Sequence, residues 1–301
     1  MTPGDLFLQQ LLNGLTLGAV YALIALGYTM VYGIIQMINF AHGEIFMIGA
    51  YAGLTVFLLL GSAGGGWLRL VAGLGIAAAF CCLLGLAVER IAYRPLRSAP
   101  KLSVLITAIG VSFFLQNAVM LFYGAQDRYV PELLPVRHWG VGAVAVTPMQ
   151  AIIFGVSLLL MLGLQAIVYG TKLGRCMRAT AQDPLAARLM GIPVDRVIAT
   201  TFAIGSGLAG VGGALFGVYY STINFHDGYL VGLKAFTAAV LGGIGNLPGA
   251  MLGGLLLGLL EGLGAGYVSA QWKNVVAFAV LILVLLLRPR GLLGERLAER
   301  A

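Results

Sequence analysis

The sequence predicts an all-α, polytopic integral membrane protein with about eight to ten helical elements, at least one of them broken or re-entrant. The first observation is composition: 60% of the 301 residues are hydrophobic and only 10% are charged. The second is a mean hydropathy of +0.96. A soluble domain carries about 25% charged residues, so lipid must surround most of this chain. The third is that the charges lie in short loops between apolar segments, which predicts one membrane domain over residues 1–301.

Eight charge-free or nearly charge-free segments provide the helices, because about 20 apolar residues span a bilayer. They cover residues 6–41, 45–68, 70–88, 102–126, 146–171, 197–223, 235–260 and 274–287. The first segment is too long for one simple span. A break near Tyr32 and Gly33 is one interpretation of it, and this leaves the side of the N-terminus open.

Basic residues cluster in two short loops and in the tail, and short basic loops belong on the cytoplasmic side of a membrane. This placement accounts for the net charge of +7 without a nucleic-acid partner. The first loop has Arg90, Arg94, Arg97 and Lys101; the second has Lys172, Arg175, Arg178, Arg188 and Arg196; the tail has Arg288, Arg290, Arg296 and Arg300.

The positions of these basic segments require one apolar segment to cross twice. Three segments separate the second loop from the tail, and an odd number of crossings would put the two on opposite sides. The sequence Gly-Asn-Leu-Pro-Gly at residues 245–249 predicts a turn. We therefore expect a short helix over residues 233–245, a turn, and a second helix over residues 250–267.

Small residues recur every four positions in the last third of the chain. On a helix such a set forms a flat stripe that lets neighbouring backbones approach closely. The stripes predict either static helix packing or surfaces along which helices slide. They are Gly205, Ala209, Gly213 and Gly217; Gly245, Gly249 and Gly253; and Gly254, Gly258, Gly262 and Gly266.

Polar residues inside the apolar regions are candidates for a path or gate through the membrane, because ionisable groups at membrane depth are costly and usually functional. They are Asn39, His42, Glu44, Asn246 and Glu261. The first three lie in the string INFAHGE at residues 38–44, which alternatively forms a simple cytoplasmic turn. Glu261 alternatively occupies a solvated helix end or anchors a helix through a hydrogen bond. A similar string, INFHDG at residues 223–228, suggests an internal repeat.

The second basic loop, over residues 171–196, is the most elaborate hydrophilic segment. Asp183 followed by Pro184 is typical of a helix N-cap with proline at the first helical position. Gly191 and Pro193 predict where that helix ends, after Met190. A short, capped, basic helix on the cytoplasmic face indicates a docking element.

Three stretches resemble permeases of the branched-chain amino acid ABC transporter family, of the LivH type. They are GRCMRATAQDPLAARLMGI at residues 174–192, GLTLGAVYALIALGYTMVYGIIQMINFAHGE at residues 14–44, and GLKAFTAAVLGGIGNLPGAMLGGLLLGLLEGL at residues 232–263. The first resembles the family's cytoplasmic coupling segment. The resemblance therefore assigns the ATPase-coupling role to residues of this loop: Gly174, Arg175, Arg178, Ala181, Asp183, Pro184, Arg188 and Gly191.

The resemblance implies a bacterial inner-membrane importer in which this subunit pairs with a second, related permease. Two cytoplasmic ATPase subunits drive the pair, and a periplasmic binding protein delivers a branched-chain amino acid, urea, an amide or another acid. ATP would bind to the partner subunits, since the sequence lacks a GxxxxGK[ST] motif. We expect neither a cofactor nor a metal in this chain, and no enzymatic activity.

Two other classes fit the sequence less well. An ion-coupled transporter working alone usually carries ionisable residues in several helices, and here Glu44 and Glu261 are the acidic candidates. An intramembrane enzyme lacks support, because His42, His138 and His226 are scattered without an HExxH motif.

Overall fold

The computed structural model describes residues 3–37, 39–61, 65–97, 99–135, 139–141, 144–288 and 291–294. Ile38, His138, Arg290, Arg296 and Arg300, which the sequence interpretation used, lie outside these ranges. The helices of the described part are α1 (Pro3–Ile35), α2 (Ala41–Leu60), α3 (Gly65–Val88), α4 (Lys101–Tyr123), α5 (Pro148–Gly170), α6 (Lys172–Gln182), α7 (Pro184–Leu189), α8 (Val194–Tyr220), α9 (Asp227–Gly242), α10 (Leu247–Tyr267) and α11 (Lys273–Leu287). The short strands are β1 (Arg128–Tyr129), β2 (Trp139–Val141), β3 (Val144–Val146) and β4 (Thr222–Ile223).

The all-α, polytopic fold is confirmed. In the described ranges, eight helical stretches are long and apolar enough to cross a membrane: α1, α2, α3 with the turns that follow it, α4, α5, α8, α10, and α11 with the turn before it. The 16-residue α9 is about 24 Å long, which is shorter than a hydrocarbon core of about 30 Å. It supplies the predicted broken segment.

The N-terminal segment is one helix, and the interpretation of a break near Tyr32 and Gly33 is wrong. Helix α1 continues to Ile35 and is about 50 Å long. A glycine in a helix interior costs only about 1 kcal/mol, and Gly33 lies beside Gly245 without a clash. The chain turns at Gln36, whose φ of 56° is left-handed.

Both basic loops lie at one end of the bundle, called here the basic end. Asp195, at the start of α8, pairs with Arg94 and Arg97 of the first loop. The N-terminus of α1 lies at the opposite end, because the Gln9 side chain exchanges two hydrogen bonds with the backbone of Ala145, just before α5.

The tail returns to the end of the molecule at which α9 finishes. The N–H groups of Leu292 and Leu293 donate to the carbonyls of Leu241 and Gly242. Four helices, α8 to α11, therefore separate the second basic loop from the tail, and the required extra crossing is α9. The helix begins at Asp227 rather than near residue 233, because the preceding segment after α8 bends at Ser221 and pairs as β4 with β1.

Helices α1, α2 and α8 form the buried centre, and α3, α4, α5 and α11 lie around them. Two of the small-residue stripes are packing faces. On α10, one face meets α1, where Gly254, Gly258 and Gly262 lie against Ala22, Gly18 and Gly14; the other meets α9, where Gly253 and Gly249 lie against Ala238 and Gly242.

The stripe on α8 packs its backbone against α2 and α1. Gly213 lies against the carbonyl of Phe46, and Gly205 lies against Gly27. Gly245 does not belong to a helical stripe as predicted. It adopts a φ of 95° in the turn between α9 and α10, where a side chain would be strained.

The helix contacts repeat along the chain. Helix α1 packs on α10 as α8 packs on α3, and α2 packs on α3 as α9 packs on α10. Helices α2 and α9 begin at the two similar sequence strings, and Gly43 of the first contacts Gly228 and Gly232 of the second. Helices α1 to α4 thus correspond to α8 to α11, and the first helix of each set packs on the third helix of the other set. This is the arrangement of an inverted repeat, and it supports the repeat hypothesis.

We expect Gly213→Ala to lower thermal stability, because the added methyl group overlaps the Phe46 carbonyl and forces α8 away from α2. Overpacking of this kind costs about 1–3 kcal/mol. The control is Gly110→Ala on α4, where no atom lies within 4 Å of the new methyl group. The thermal midpoints of both purified variants, measured in one detergent, test this; equal midpoints for Gly213→Ala and the parent would contradict it.

Candidate functional site

The second basic loop folds into two helices, α6 and α7, separated by Asp183. The Asp183 carboxylate accepts hydrogen bonds from the N–H groups of Leu185 and Ala186 at 2.8 and 3.0 Å. Pro184 occupies the first helical position, and Gly191 has a φ of 80° just beyond the end. The capped helix that the sequence predicts is therefore present, one residue shorter than expected. Helix α6 was not predicted from the sequence, because its N-cap, Thr171, was not recognised as one.

Helix α7 presents an apolar surface to its surroundings. The exposed fractions of Leu185, Leu189 and Met190 are 69%, 81% and 83%. Only Ala187 of this helix is buried. A cluster of exposed large apolar side chains on a polar loop is typical of a protein interaction site. We call Leu185, Leu189 and Met190 the α7 surface; their exposure agrees with the docking element that the sequence predicts.

Three of the proposed coupling residues hold α6 in place. A side chain at Gly174 would overlap the Val168 carbonyl, so this glycine allows α6 to turn back on α5. The Arg178 guanidinium donates to that same carbonyl and lies 5.5 Å from the ring centroid of Tyr169. Ala181 packs against the core. Arg175, by contrast, is exposed.

An ion-pair network connects α7 to the start of α8 and to the first basic loop. The Asp195 carboxylate accepts from Arg97 at 2.6 Å, from Arg94 at 3.4 Å and from Arg188 of α7 at 3.4 Å. Arg97 also pairs with the buried Glu89. We call Arg94, Arg97, Arg188 and Asp195 the Asp195 network. Single exposed ion pairs contribute little, but these three arginines share one carboxylate, and Arg97 also holds the buried Glu89.

The polar string at the start of α2 is buried. Asn39, His42 and Glu44 are each at most 3% exposed. The Tyr93 hydroxyl donates to the Asn39 Oδ1 at 2.6 Å, and the Ser112 hydroxyl donates to the Glu44 Oε1 at 3.1 Å. The string does join α1 to α2 at the basic end, as the turn alternative has it, but its polar side chains are buried among α1, α3, α4 and α9.

Each of these three side chains keeps one polar atom without a hydrogen-bond partner among the described residues. The atoms are Asn39 Nδ2, His42 Nε2 and Glu44 Oε2. A buried polar atom without a partner costs about 1–3 kcal/mol, and natural structures contain few of them. Three such atoms within six residues of chain mark this as a site that is not optimised for stability.

A second polar group joins α9, α10 and α1. Lys234 Nζ lies 2.8 Å from Glu261 Oε1, and the Tyr21 hydroxyl donates to Glu261 Oε2 at 2.9 Å. The exposed fractions of Lys234 and Glu261 are 7% and 1%. Glu261 is thus anchored as well as buried. Lys234 was missed because a single lysine in an apolar stretch shows no partner until the fold is known.

The five candidates for a path do not form one cluster. Asn246 caps α10, accepting from the Gly249 N–H and donating to the Leu293 carbonyl. It is about 22 Å along α10 from Glu261. Along α1, Tyr28, which contacts His42, lies two helical turns from Tyr21, which contacts Glu261. The chain thus carries two polar levels about 10 Å apart along α1.

We expect Lys234→Met to be strongly destabilising, because it leaves the Glu261 carboxylate charged and buried. Removing one member of a buried ion pair costs about 3–5 kcal/mol. The double variant Lys234→Met/Glu261→Gln removes the charge and should regain most of the lost stability. The thermal midpoints of the two purified proteins test this. A double variant no more stable than Lys234→Met would contradict the assignment of the loss to an unpaired charge.

Comparison with known proteins connects these features to a transport system. The family model for the permease component of branched-chain amino acid transport systems matches residues 10–285. The high-affinity branched-chain amino acid transport system permease protein LivH of Escherichia coli (strain K12) is 50% identical over 301 residues, covering 98% of this chain and 97% of that protein. Permease protein BraD of Pseudomonas aeruginosa is also 50% identical, with 98% of each chain covered.

A solved structure supports the fold. PsaBC from Streptococcus pneumoniae, in complex with Fab, matches with a TM-score of 0.50 at 14% identity, covering 94% of this chain and 92% of that one. The family match extends over nearly the whole chain and includes the α6–α7 loop, both polar levels and the packing stripes. The chain therefore belongs to the family of branched-chain amino acid transport permease components.

Proposed function

We propose that this chain is the transmembrane subunit of an ATP-binding cassette importer of a bacterial inner membrane, carrying branched-chain amino acids or related small solutes. The family match and the 50% identity to LivH and BraD support the solute class. The positive-inside rule supports a cytoplasmic basic end. The single observation that carries the coupling mechanism is the α7 surface, exposed at that end on a capped helix.

The α7 surface is the proposed contact with a cytoplasmic ATPase subunit. Leu189 and Met190 would insert into an apolar groove on the ATPase, which excludes them from water. Movement of the ATPase would then move α7 as a rigid body. The Asp195 network connects α7 to the start of α8 and to the first basic loop, so one displacement would reach α8 and α3 together.

A second permease subunit is the proposed partner of the face formed by α4 and the start of α9. Asn117, which donates to the Phe113 carbonyl, and His226 are exposed there, and Gln116 lies 2.9 Å from the His226 ring. Lipid tails offer no hydrogen bonds to such side chains. A partner subunit, or water between two subunits, offers them. A second ATPase subunit and a periplasmic binding protein complete the proposed assembly.

The two polar levels along α1 are the proposed gate on the solute path. The buried groups without hydrogen-bond partners near Glu44 lower the local stability of this segment. Segments of low local stability rearrange most readily, so this one is suited to move during transport. Among the described residues, Ser112 on the peripheral helix α4 is the one hydrogen-bond partner of Glu44. A movement of α4 would therefore remove this hydrogen bond from the carboxylate. Asn246 instead belongs to the turn at the basic end.

We expect Leu189→Ala/Met190→Ala to lower uptake by at least about tenfold, because truncating residues that act as hot spots at the centre of an interface costs more than about 1 kcal/mol each. The protein should still reach the membrane, since these side chains are 81% and 83% exposed and support no part of the fold. ATP hydrolysis by the assembled complex should no longer follow the solute supply. Uptake and hydrolysis are measured in proteoliposomes that contain all subunits.

The matched control for this variant is Leu286→Ala/Leu287→Ala, which truncates two leucines of α11 that are 75% and 77% exposed. It should leave the dependence of hydrolysis on the solute unchanged. Normal uptake in the α7 variant would remove α7 from the coupling mechanism. Uptake by this chain alone, driven by an ion gradient, would instead favour an ion-coupled transporter.

A further inference from the structure

A cavity of about 740 Å³ opens at the basic end, between the turn that follows α3 and the start of α8. Its charged lining consists of Glu89, Arg90, Arg94, Arg188, Asp195 and Arg196. Its apolar lining includes Leu86, Ile192 and Ala199. The proposed coupling mechanism uses Arg188 and Asp195, but it gives the cavity itself no role.

The charges of this cavity do not balance. Four arginines face two carboxylates in the lining, and Arg97, which pairs with both carboxylates, raises the surplus to three positive charges. Arg90 and Arg196 are exposed, and neither has a carboxylate within ion-pair distance in the described part of the chain. The cavity therefore presents two free guanidinium groups to an anion.

The apolar side of the cavity continues onto the membrane-facing surface of α3. Leu86 lines the cavity, and Leu83, one turn away on the same helix, is 66% exposed. Ile91, beside Arg90, is 76% exposed. Apolar side chains this exposed next to arginines are found where a protein crosses from hydrocarbon to headgroups. The site is therefore amphipathic, with a cationic cavity and an apolar flank.

We propose that the cavity binds the phosphate headgroup of an anionic phospholipid, with the acyl chains along Leu83 and Leu86. Guanidinium groups match phosphate oxygens with paired, charge-assisted hydrogen bonds. The apolar flank distinguishes a lipid from a free phosphate, which needs no such surface. Anionic lipids also concentrate near basic segments at the cytoplasmic surface. The leaflet assignment rests on the proposed cytoplasmic orientation, but binding itself does not.

The lipid would act on the coupling helix through shared side chains. Arg188 of α7 both lines the cavity and pairs with Asp195 at 3.4 Å. A phosphate in the cavity competes with Asp195 for Arg94 and Arg188. Occupancy therefore changes how firmly α7 is attached to α8, which makes coupling sensitive to the anionic lipid content of the membrane.

The test is lipid retention by the purified chain, measured by native mass spectrometry with phosphatidylglycerol or phosphatidylcholine. We expect preferential retention of phosphatidylglycerol. In Arg90→Gln/Arg196→Gln this retention should fall by at least about tenfold, because each lost charge-assisted hydrogen bond alone accounts for about that factor. The control Lys101→Gln/Lys172→Gln removes the same charge from exposed residues outside the cavity and should retain the lipid as the parent does.

Several outcomes would overturn this proposal. Equal retention of the two lipids, or equal loss in both double variants, would show only diffuse attraction to positive charge. Displacement of phosphatidylglycerol by millimolar inorganic phosphate would indicate a site for free phosphate. Loss of ATPase subunit binding in Arg90→Gln/Arg196→Gln would assign the cavity to the protein interface. A lipid-free thermal midpoint equal to that of the parent shows that the variant is folded. Because the assay needs no uptake, its failure is distinct from failure of the transport proposal.

Discussion

The structure depends on close backbone contact between helices at small residues, above all between α1 and α10. In a bilayer the hydrophobic effect does not drive helices together, so they associate through packing and polar contacts. Gly14 and Gly18 of α1 meet Gly258 of α10 with no space for a side chain on either helix. The other central contacts, α8 with α2 and with α1, follow the same rule at Gly213 and Gly205.

This tight packing makes the buried polar groups possible. Lys234 and Glu261 come within 2.8 Å because α9 and α10 contact each other through glycines and alanines. A looser interface would admit lipid and leave two isolated charges, each of which is costly there. Glu44 is less completely paired, because its one hydrogen-bond partner among the described residues is Ser112, on the weakly buried helix α4. The two polar levels thus differ in how completely their charged groups are paired.

At the basic end, charge rather than packing connects the elements. Helix α7 makes few contacts with the body of the protein beyond Ala187 and the Arg188 pair with Asp195. A short helix attached in this way can move without opening the core, which suits an element that transmits motion. The exposed guanidinium groups of Arg90 and Arg196 lie beside this attachment, so the proposed lipid site and the proposed coupling helix meet at one place.

The sequence by itself determined the membrane fold, the basic end, the break before Asn246 and the capped helix at Asp183. These follow from local physics: hydropathy, the charge of short loops, turn residues and a helix N-cap. Only the tertiary structure decided that α1 is unbroken, that Asn39, His42 and Glu44 are buried, and that Lys234 pairs with Glu261. Those outcomes depend on which helices become neighbours, and a pairing across 27 positions of chain leaves no local pattern. The Asp195 network escaped prediction for the same reason.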